Sequence, residues 1–314
     1  MAIRTRTRTR TRTRTRTRTR TRSRSHSRAL RLAAVLAAAG TATLGLTAPA
    51  QATGGDPLDY VALGDSFSAG SGILPLDLTA PLLCARSTAN YPHVVAQRTG
   101  AKLTDVTCGG AQTKDFAGSQ YPGVAPQLDA VDADTDVVTL TIGGNDNNTF
   151  IGAIVACGSA GVLSGGKGSP CKDANGDKFT KEIDASTYPA LKNALRAVKA
   201  KAPNARVGIL GYPWIVPAKA DPGCFAKMPI ATGDVPYLRD LQAHLNKTVQ
   251  RAASETGATF VDLAAASEGH DACKPLGTRW IEPVLFGTNF VPVHPNALGE
   301  KGMADQAIGV LKLN

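Results

Sequence analysis

Five short segments of the chain are rich in β-branched and apolar residues and lack the spacing of an amphipathic helix. Short segments of this composition predict strands that are buried on both faces of a sheet. The predicted strands are residues 60–63, 103–107, 137–142, 207–211 and 259–263.

Helical patterns separate these strands, and the last of them starts at Asn296, a residue suited to cap a helix that follows Pro295. The predicted helices are residues 91–99, 188–202, 236–256 and 296–311. The segment 157–187 is rich in Gly, Ser and Lys and is predicted to be a long loop. Strands that alternate with helices are typical of a parallel sheet covered on both faces. The pattern therefore predicts one α/β domain.

The first 52 residues follow a different pattern. Arginine alternates with Thr or Ser through residues 4–24, an apolar run occupies residues 29–46, and Ala50 and Ala52 form a small-residue cleavage pattern. This order is typical of a secretory signal peptide. The apolar run is interrupted and too short for a membrane span. We expect residues 1–52 to be a signal peptide with an Arg/Thr-rich start, and the protein to be secreted without a stable membrane anchor.

Charge outside this leader does not favour nucleic acid as a partner. Residues 1–52 contain 13 of the 35 basic residues and none of the 25 acidic ones, which leaves residues 53–314 with a formal charge of about −3. The positive charge of the whole chain therefore belongs to the leader. Residues 53–314 are long enough to bury one substantial core, and we expect them to form a single domain.

All six cysteines lie in residues 53–314, and an even number in an exported chain predicts disulfides. No two of them have C-x-x-C spacing, which argues against zinc ribbon and thioredoxin-like sites. Spacing alone leaves their pairing open.

The ends of the first three predicted strands carry chemically suggestive residues. Gly64-Asp65-Ser66 follows the first, Cys108-Gly109-Gly110 the second, and Gly143-Gly144-Asn145-Asp146 the third. Active sites of parallel α/β sheets lie at this edge. Ser66 would be a nucleophile if a base took its proton; it would otherwise only cap a helix. The backbone N–H groups of Ser66 and Gly110 and the amide of Asn145 are candidate oxyanion donors, although turns also favour glycine and asparagine.

Two histidines are candidate bases. His270 stands beside Asp271, so the pair could form half of a catalytic triad. His294 directly precedes the last predicted helix. His93 and His244 lie within helical patterns, where packing or surface roles are more common.

The three strand-end groups, together with Val293-His294-Pro295, resemble the sequence blocks of the SGNH (GDSL) hydrolase family, in the family's order. Within that family, the six cysteines and the segment Gly211-Tyr212-Pro213-Trp214 are most similar to those of secreted lipases and esterases of streptomycetes. The resemblance implies a three-layer α/β/α flavodoxin-like fold with a central five-stranded parallel sheet. It also implies hydrolysis of carboxylic esters without a cofactor, with Ser66 as nucleophile, His294 as base, and Ser66, Gly110 and Asn145 as the oxyanion hole.

One position departs from the family pattern. Val291 stands three residues before His294, where the family usually has Asp. Some secreted members use a backbone carbonyl to orient the histidine, so we expect the carbonyl of Val291, or as second choice that of Pro292, to do so here. The result would be a Ser66–His294 dyad, unless a remote carboxylate folds close to the ring.

The resemblance also implies disulfides in sequential order, Cys84–Cys108, Cys157–Cys171 and Cys224–Cys273. We expect no metal, because the calcium-loop-like segment 173–184 has Lys178 where such a loop needs glycine. The expected protein is a monomer that forms an acyl-enzyme and releases fatty acids from lipid esters. The alternatives are a carbohydrate acetylesterase and a catalytically inactive secreted binding module of the same fold.

Overall fold

The structure is a computed structural model, and it describes residues 56–313. The signal peptide predicted for residues 1–52 lies outside the described residues. None of the helices within residues 56–313 is long and apolar enough to cross a bilayer.

A five-stranded, fully parallel sheet forms the centre of the fold, with the strand order β2-β1-β3-β4-β5. The strands are β1 (Asp59–Gly64), β2 (Lys102–Asp105), β3 (Val137–Thr141), β4 (Arg206–Leu210) and β5 (Thr259–Val261). The three inner strands are almost wholly buried, whereas the edge strands β2 and β5 are partly exposed. The sheet confirms the predicted fold class.

Helices cover both faces of the sheet and complete the three layers. Successive β1 residues alternate between two hydrophobic clusters. Tyr60 and Ala62 pack in the cluster that contains the helices of residues 91–99 and 297–311, and Val61 and Leu63 in the one that contains the helix of residues 188–201. The α-helices of the described residues are α1 (Ser66–Ala69), α2 (Tyr91–Thr99), α3 (Thr149–Leu163), α4 (Pro170–Asn175), α5 (Lys178–Glu182), α6 (Tyr188–Lys201), α7 (Asp234–Thr256), α8 (Ala264–Ser267) and α9 (Ala297–Leu311).

The prediction of a long loop over residues 157–187 is wrong. Most of that segment is helical, comprising the end of α3, then α4 and α5, and a π-helical turn at Ile183–Thr187 that leads into α6. Because α3 is apolar around most of its circumference, its sequence lacks the polar and apolar alternation that identifies a surface helix. Its buried side, which includes Ala153 and Ile154, packs into the core.

The strand order reverses at β1, which has β2 on one side and β3 on the other. Chains that leave neighbouring strands in opposite directions open a crevice at the carboxyl edge of the sheet. Gly64, the last residue of β1, pairs with Thr141, the last residue of β3. Gly64 has φ of +124°, and a Cβ there would lie 2.4 Å from the Thr141 carbonyl oxygen. Only glycine fits at the start of this crevice.

Three disulfides join Cys84 to Cys108, Cys157 to Cys171, and Cys224 to Cys273. These are the pairs that the family resemblance implies. The first one fastens the segment around Leu82–Cys84 to the loop after β2, where the Gly109 N–H also donates to the Cys84 carbonyl at 2.8 Å. The loop that carries Gly110 is therefore held at two adjacent points.

Candidate active site

Ser66 is the first residue of α1, directly after β1, and is 8% exposed. Asp65 caps the helix by accepting a hydrogen bond from the Phe67 N–H at 3.0 Å. The Asp65 N–H in turn donates to the Thr141 carbonyl at 2.9 Å. This turn directs the Ser66 hydroxyl into the crevice rather than using it as the cap.

His294 lies in the loop before α9, and its Nε2 is 2.7 Å from Ser66 Oγ. Its other ring nitrogen, Nδ1, is 2.8 Å from the carbonyl oxygen of Pro292. A carbonyl can only accept, so Nδ1 carries the proton and Nε2 presents its lone pair to the Ser66 hydroxyl. This is the tautomer that a general base requires.

The first choice for the orienting carbonyl, Val291, is wrong, and the second choice, Pro292, is the one in contact. Val293 has φ of +61°, a left-handed conformation that is rare for a β-branched residue. This turn of the chain directs the Pro292 carbonyl back onto the His294 ring. Within residues 56–313, no Asp or Glu oxygen forms a hydrogen bond or an ion pair with His294.

Burial lowers the pKa of His294 below its ordinary value, and the hydrogen bond to the Pro292 carbonyl opposes that shift. No full negative charge accompanies the ring to raise the pKa. The imidazole is therefore neutral at neutral pH, ready to accept a proton.

A buried ion pair fixes the loop that carries His294. The Glu282 N–H donates to the His294 carbonyl, and the Val293 N–H donates to the Glu282 carbonyl, each at 2.9 Å. The buried Glu282 carboxylate accepts from Arg279 at 2.7 Å and from the Asn296 amide at 2.8 Å. Sequence reasoning missed this support. Its only indication is the Arg279-x-x-Glu282 spacing in a region with no predicted helix or strand.

The rival base His270 is not brought to Ser66. Its Nδ1 contacts the Thr278 carbonyl, and its ring stacks on Trp280 with centroids 5.0 Å apart. Asp271 accepts from the Cys273 N–H at 3.0 Å rather than contacting either candidate histidine. The pair does not form half of a triad.

Ser66, Gly110 and Asn145, which carry the three candidate oxyanion donors, line one cavity together with His294. Gly110 has φ of +77°, which turns its backbone in a way that favours glycine. Within the described residues, the N–H groups of Ser66 and Gly110 have no acceptor. The Asn145 amide donates one hydrogen to the Ala111 carbonyl at 3.1 Å, which fixes its orientation and leaves the second hydrogen free.

The cavity has a volume of about 270 Å³, and apolar side chains form most of its wall. Phe150, Ile151 and Ile154 of α3 contribute to it, together with Phe67 and Ile215. Sequence reasoning missed the α3 residues because that segment did not predict a helix. The arrangement can hold an acyl chain against the wall and an ester carbonyl beside Ser66.

The calcium-loop-like segment does not form a loop. Asp173 and Asn175 lie in α4, and Asp184 contacts His244 of α7 at 2.9 Å. Among residues 56–313, no group of three or more His, Cys, Asp or Glu side chains is placed to hold a metal ion.

The flavodoxin-like parallel sheet brings a serine, a histidine and three N–H donors together at the carboxyl edge where the strand order reverses. These features define the SGNH class of hydrolases. Residues 62–301 match the model of the GDSL-like Lipase/Acylhydrolase family. The chain belongs to this family and is an ester hydrolase.

Known relatives agree with this assignment. The chain is 68% identical over 287 residues to Lipase 2 of Streptomyces coelicolor, covering 90% of this chain and 96% of that protein. It is 30% identical to a lipase of Streptomyces rimosus, covering 85% and 91% of the two chains. Among solved structures, it is similar to phospholipase A1 from Streptomyces albidoflavus NA297, with a TM-score of 0.67, 28% identity, and coverage of 81% of this chain and 99% of that one.

Proposed function

We propose that the protein is an extracellular lipase that hydrolyses lipid esters through a Ser66–His294 dyad and an acyl-enzyme, releasing fatty acids. The observation that carries this proposal is the 2.7 Å contact between Ser66 Oγ and a His294 ring whose other nitrogen is fixed by a carbonyl. A serine hydroxyl becomes an effective nucleophile only when such a base takes its proton.

In the first half-reaction, His294 Nε2 takes the hydroxyl proton as Ser66 Oγ bonds to the ester carbonyl carbon. The carbonyl π electrons move onto oxygen, and the N–H groups of Ser66 and Gly110 and the Asn145 amide stabilise that negative charge. The tetrahedral intermediate then collapses, its bond to the alcohol oxygen breaks, and the imidazolium gives its proton to the departing alcohol. An acyl-Ser66 ester remains.

In the second half-reaction, His294 takes a proton from water as the water oxygen bonds to the acyl carbon. The same three donors stabilise the second tetrahedral intermediate. Its bond to Ser66 Oγ breaks, the imidazolium returns its proton to Oγ, and the fatty acid leaves. The Pro292 carbonyl dipole supports the imidazolium in both steps, in the place that a carboxylate takes in a triad.

The surroundings of the cavity favour lipid esters over acetylated polysaccharide. Three segments that contribute residues to the cavity wall, 78–85, 147–166 and 283–295, contain no Asp, Glu, Lys or Arg. They carry ten of the fourteen exposed large apolar side chains of residues 56–313, including Leu82, Leu83 and Phe290. A polysaccharide would need polar partners here, whereas acyl chains and lipid surfaces match this apolar border.

Secretion is supported by the leader pattern of residues 1–52 and by three disulfides, which persist in oxidising compartments. One solved structure to which the chain is similar, with a TM-score of 0.66, is that of an extracellular lipase from Streptomyces rimosus.

The deciding experiment is hydrolysis of a p-nitrophenyl ester series from acetate to palmitate, compared with deacetylation of acetylated xylan. A lipase prefers the longer acyl chains and leaves xylan untouched. Activity confined to acetate and xylan would support the carbohydrate acetylesterase instead. Absence of hydrolysis, with no labelling of Ser66 by a fluorophosphonate, would support the inactive binding module.

A further inference from the structure

We propose that Tyr212 is a positioning residue, whose hydroxyl ties the turn that carries Ser66 to the turn that carries Asn145. This inference rests on the proposed function, because it assigns Tyr212 a part in holding the nucleophile and an oxyanion donor in register. Tyr212 follows β4 and lies outside the four sequence blocks that carry Ser66, Gly110, Asn145 and His294, in the segment that resembles secreted streptomycete lipases.

The hydroxyl of Tyr212 makes two directed contacts. It lies 2.5 Å from Asp65 Oδ2 and 2.9 Å from the backbone N of Gly144. Gly144 can only donate, so the hydroxyl accepts there and donates its own proton to Asp65. Asp65 immediately precedes Ser66, and Gly144 immediately precedes Asn145. One oxygen atom therefore bridges the turns that follow β1 and β3.

The position of Tyr212 is set from outside the site. Its N–H donates to Asn246 Oδ1 at 2.8 Å, and its carbonyl accepts from the Asn246 amide at 2.9 Å. Both contacts come from α7, a 23-residue helix. The Tyr212 ring also meets the Phe67 ring edge-on, with centroids 5.1 Å apart, and Phe67 packs against His294. A rigid helix thus holds the hydroxyl in place.

The two turns depend on this hydroxyl because their polar groups are buried. The other carboxylate oxygen of Asp65, Oδ1, accepts from the Thr141 hydroxyl at 2.7 Å and from the Phe67 N–H at 3.0 Å. Among the described residues, Tyr212 is the only hydrogen-bond partner of Asp65 Oδ2 and of the Gly144 N–H. Removing the hydroxyl leaves one buried acceptor and one buried donor unpaired, one in each turn. Both turns then relax, and the oxyanion donors shift relative to Ser66.

The test compares Tyr212→Phe with Tyr60→Phe. Tyr60 is also buried, and its hydroxyl bonds to Thr139 at 2.5 Å, away from both turns. Each variant loses one buried tyrosine hydroxyl, so both are expected to lower Tm. The readouts are kcat and KM on a soluble p-nitrophenyl ester, and the affinity for an alkyl boronic acid, which forms a tetrahedral adduct with an active serine.

We expect Tyr212→Phe to lower kcat about tenfold, less than the loss of a whole oxyanion donor, with KM within about twofold because the apolar wall is intact. Boronic acid affinity should fall by the same factor as kcat. Tyr60→Phe should leave both within about twofold of wild type. The proposal is overturned if Tyr212→Phe keeps kcat and boronic acid affinity within twofold, or if Tyr60→Phe loses as much.

If Tyr212→Phe fails to fold, Asp65→Asn tests the same link from the other side. The asparagine side chain has one acceptor oxygen, whereas both carboxylate oxygens of Asp65 accept hydrogen bonds. This variant should therefore show the same loss of kcat without a rise in KM. A normal kcat in a folded Asp65→Asn protein would overturn the proposal. Full activity of Ser66→Ala would instead remove the proposed function itself, so the two failures are distinguishable.

Discussion

His294 Nδ1 lies 2.8 Å from the main-chain carbonyl oxygen of Pro292, two residues earlier in the same loop. This contact fixes the ring with a neutral dipole where a triad uses a carboxylate. It depends on the left-handed turn at Val293 and on the backbone pairing between Glu282 and the loop. The ring of the proposed base is thus oriented by local chain geometry rather than by a distant acidic side chain.

Asp271 is adjacent to the rival histidine His270 in sequence and does not contact His294. Its replacement should therefore cost little activity. We expect Asp271→Asn to lower kcat less than about tenfold, whereas the same replacement in a true triad costs about 10⁴. Steady-state kinetics on a soluble ester measures this. A loss near the triad value, in a folded protein, would reveal a carboxylate that supports the base.

The pH dependence of kcat/KM should reflect a lowered histidine pKa. Because the proposed base acts in its neutral form, and burial lowers the pKa of His294, the midpoint of the acid decline in activity should lie below about 6.5, the ordinary histidine value. Burial also raises the pKa of Asp65 to about 6, although hydrogen bonds from Tyr212, Thr141 and Phe67 oppose the shift. This pKa also lies below the ordinary histidine value. An acid limb centred above about pH 7 would indicate a negative partner for His294.

Asn145→Ala should remove one of the three proposed donors to the oxyanion. We expect kcat to fall by roughly 10²–10³, the usual cost of losing such a donor, with a smaller change in KM. Asn147→Ala is a matched control, because Asn147 lies two residues away and contacts Ser186 instead. Equal effects of the two substitutions would assign Asn145 a structural role only.

Glu300 should make the protein less stable as pH rises. Its carboxyl is fully buried, with Oε2 accepting from the Tyr91 N–H at 2.6 Å and Oε1 unpaired among the described residues. Burial raises its pKa well above the ordinary value, and Asp105 and Asp65 add to the shift. The stability that this group contributes is therefore complete below about pH 4, the unfolded value, and is lost as pH rises towards the folded value.

Glu300→Gln removes that ionisation, so we expect its Tm to exceed that of wild type by roughly 3 °C or more at pH 8, and not at pH 4. The exposed Glu182→Gln serves as the control. Thermal unfolding at pH 4 and pH 8 measures these Tm values. A Tm difference between Glu300→Gln and wild type that is the same at both pH values would contradict ionisation of Glu300 as its cause.

The sequence allowed prediction of the parts of the site that are continuous with the strands. Ser66, Gly110 and Asn145 each follow a strand closely, so the predicted sheet brought them to one edge before any contact was known. The orienting carbonyl could not be predicted, because the choice between Val291 and Pro292 depends on the backbone conformation of this loop, which includes the left-handed Val293.

Long-range contacts account for the rest of what was missed. Helix α3 was not predicted, because apolar residues face the core, the cavity and, at Val155 and Val162, the solvent, which leaves no polar stripe. Tyr212 and Glu282 act through partners 147 and 14 residues away in sequence. The residues next to Tyr212 in sequence do not indicate its contact with Asp65, and for Glu282 only the Arg279-x-x-Glu282 spacing indicates a partner.

The most direct test of the central claim is the rate of p-nitrophenyl ester hydrolysis by Ser66→Ala, prepared free of wild-type protein. Ser71→Ala is the matched control, because Ser71 lines the same cavity and its hydroxyl has no partner among the described residues. We predict a loss on the order of 10⁶ for Ser66→Ala, as for the nucleophile of a comparable serine hydrolase, and near-normal activity for Ser71→Ala. More than about a hundredth of wild-type activity in folded Ser66→Ala would contradict the assignment of Ser66 as the nucleophile.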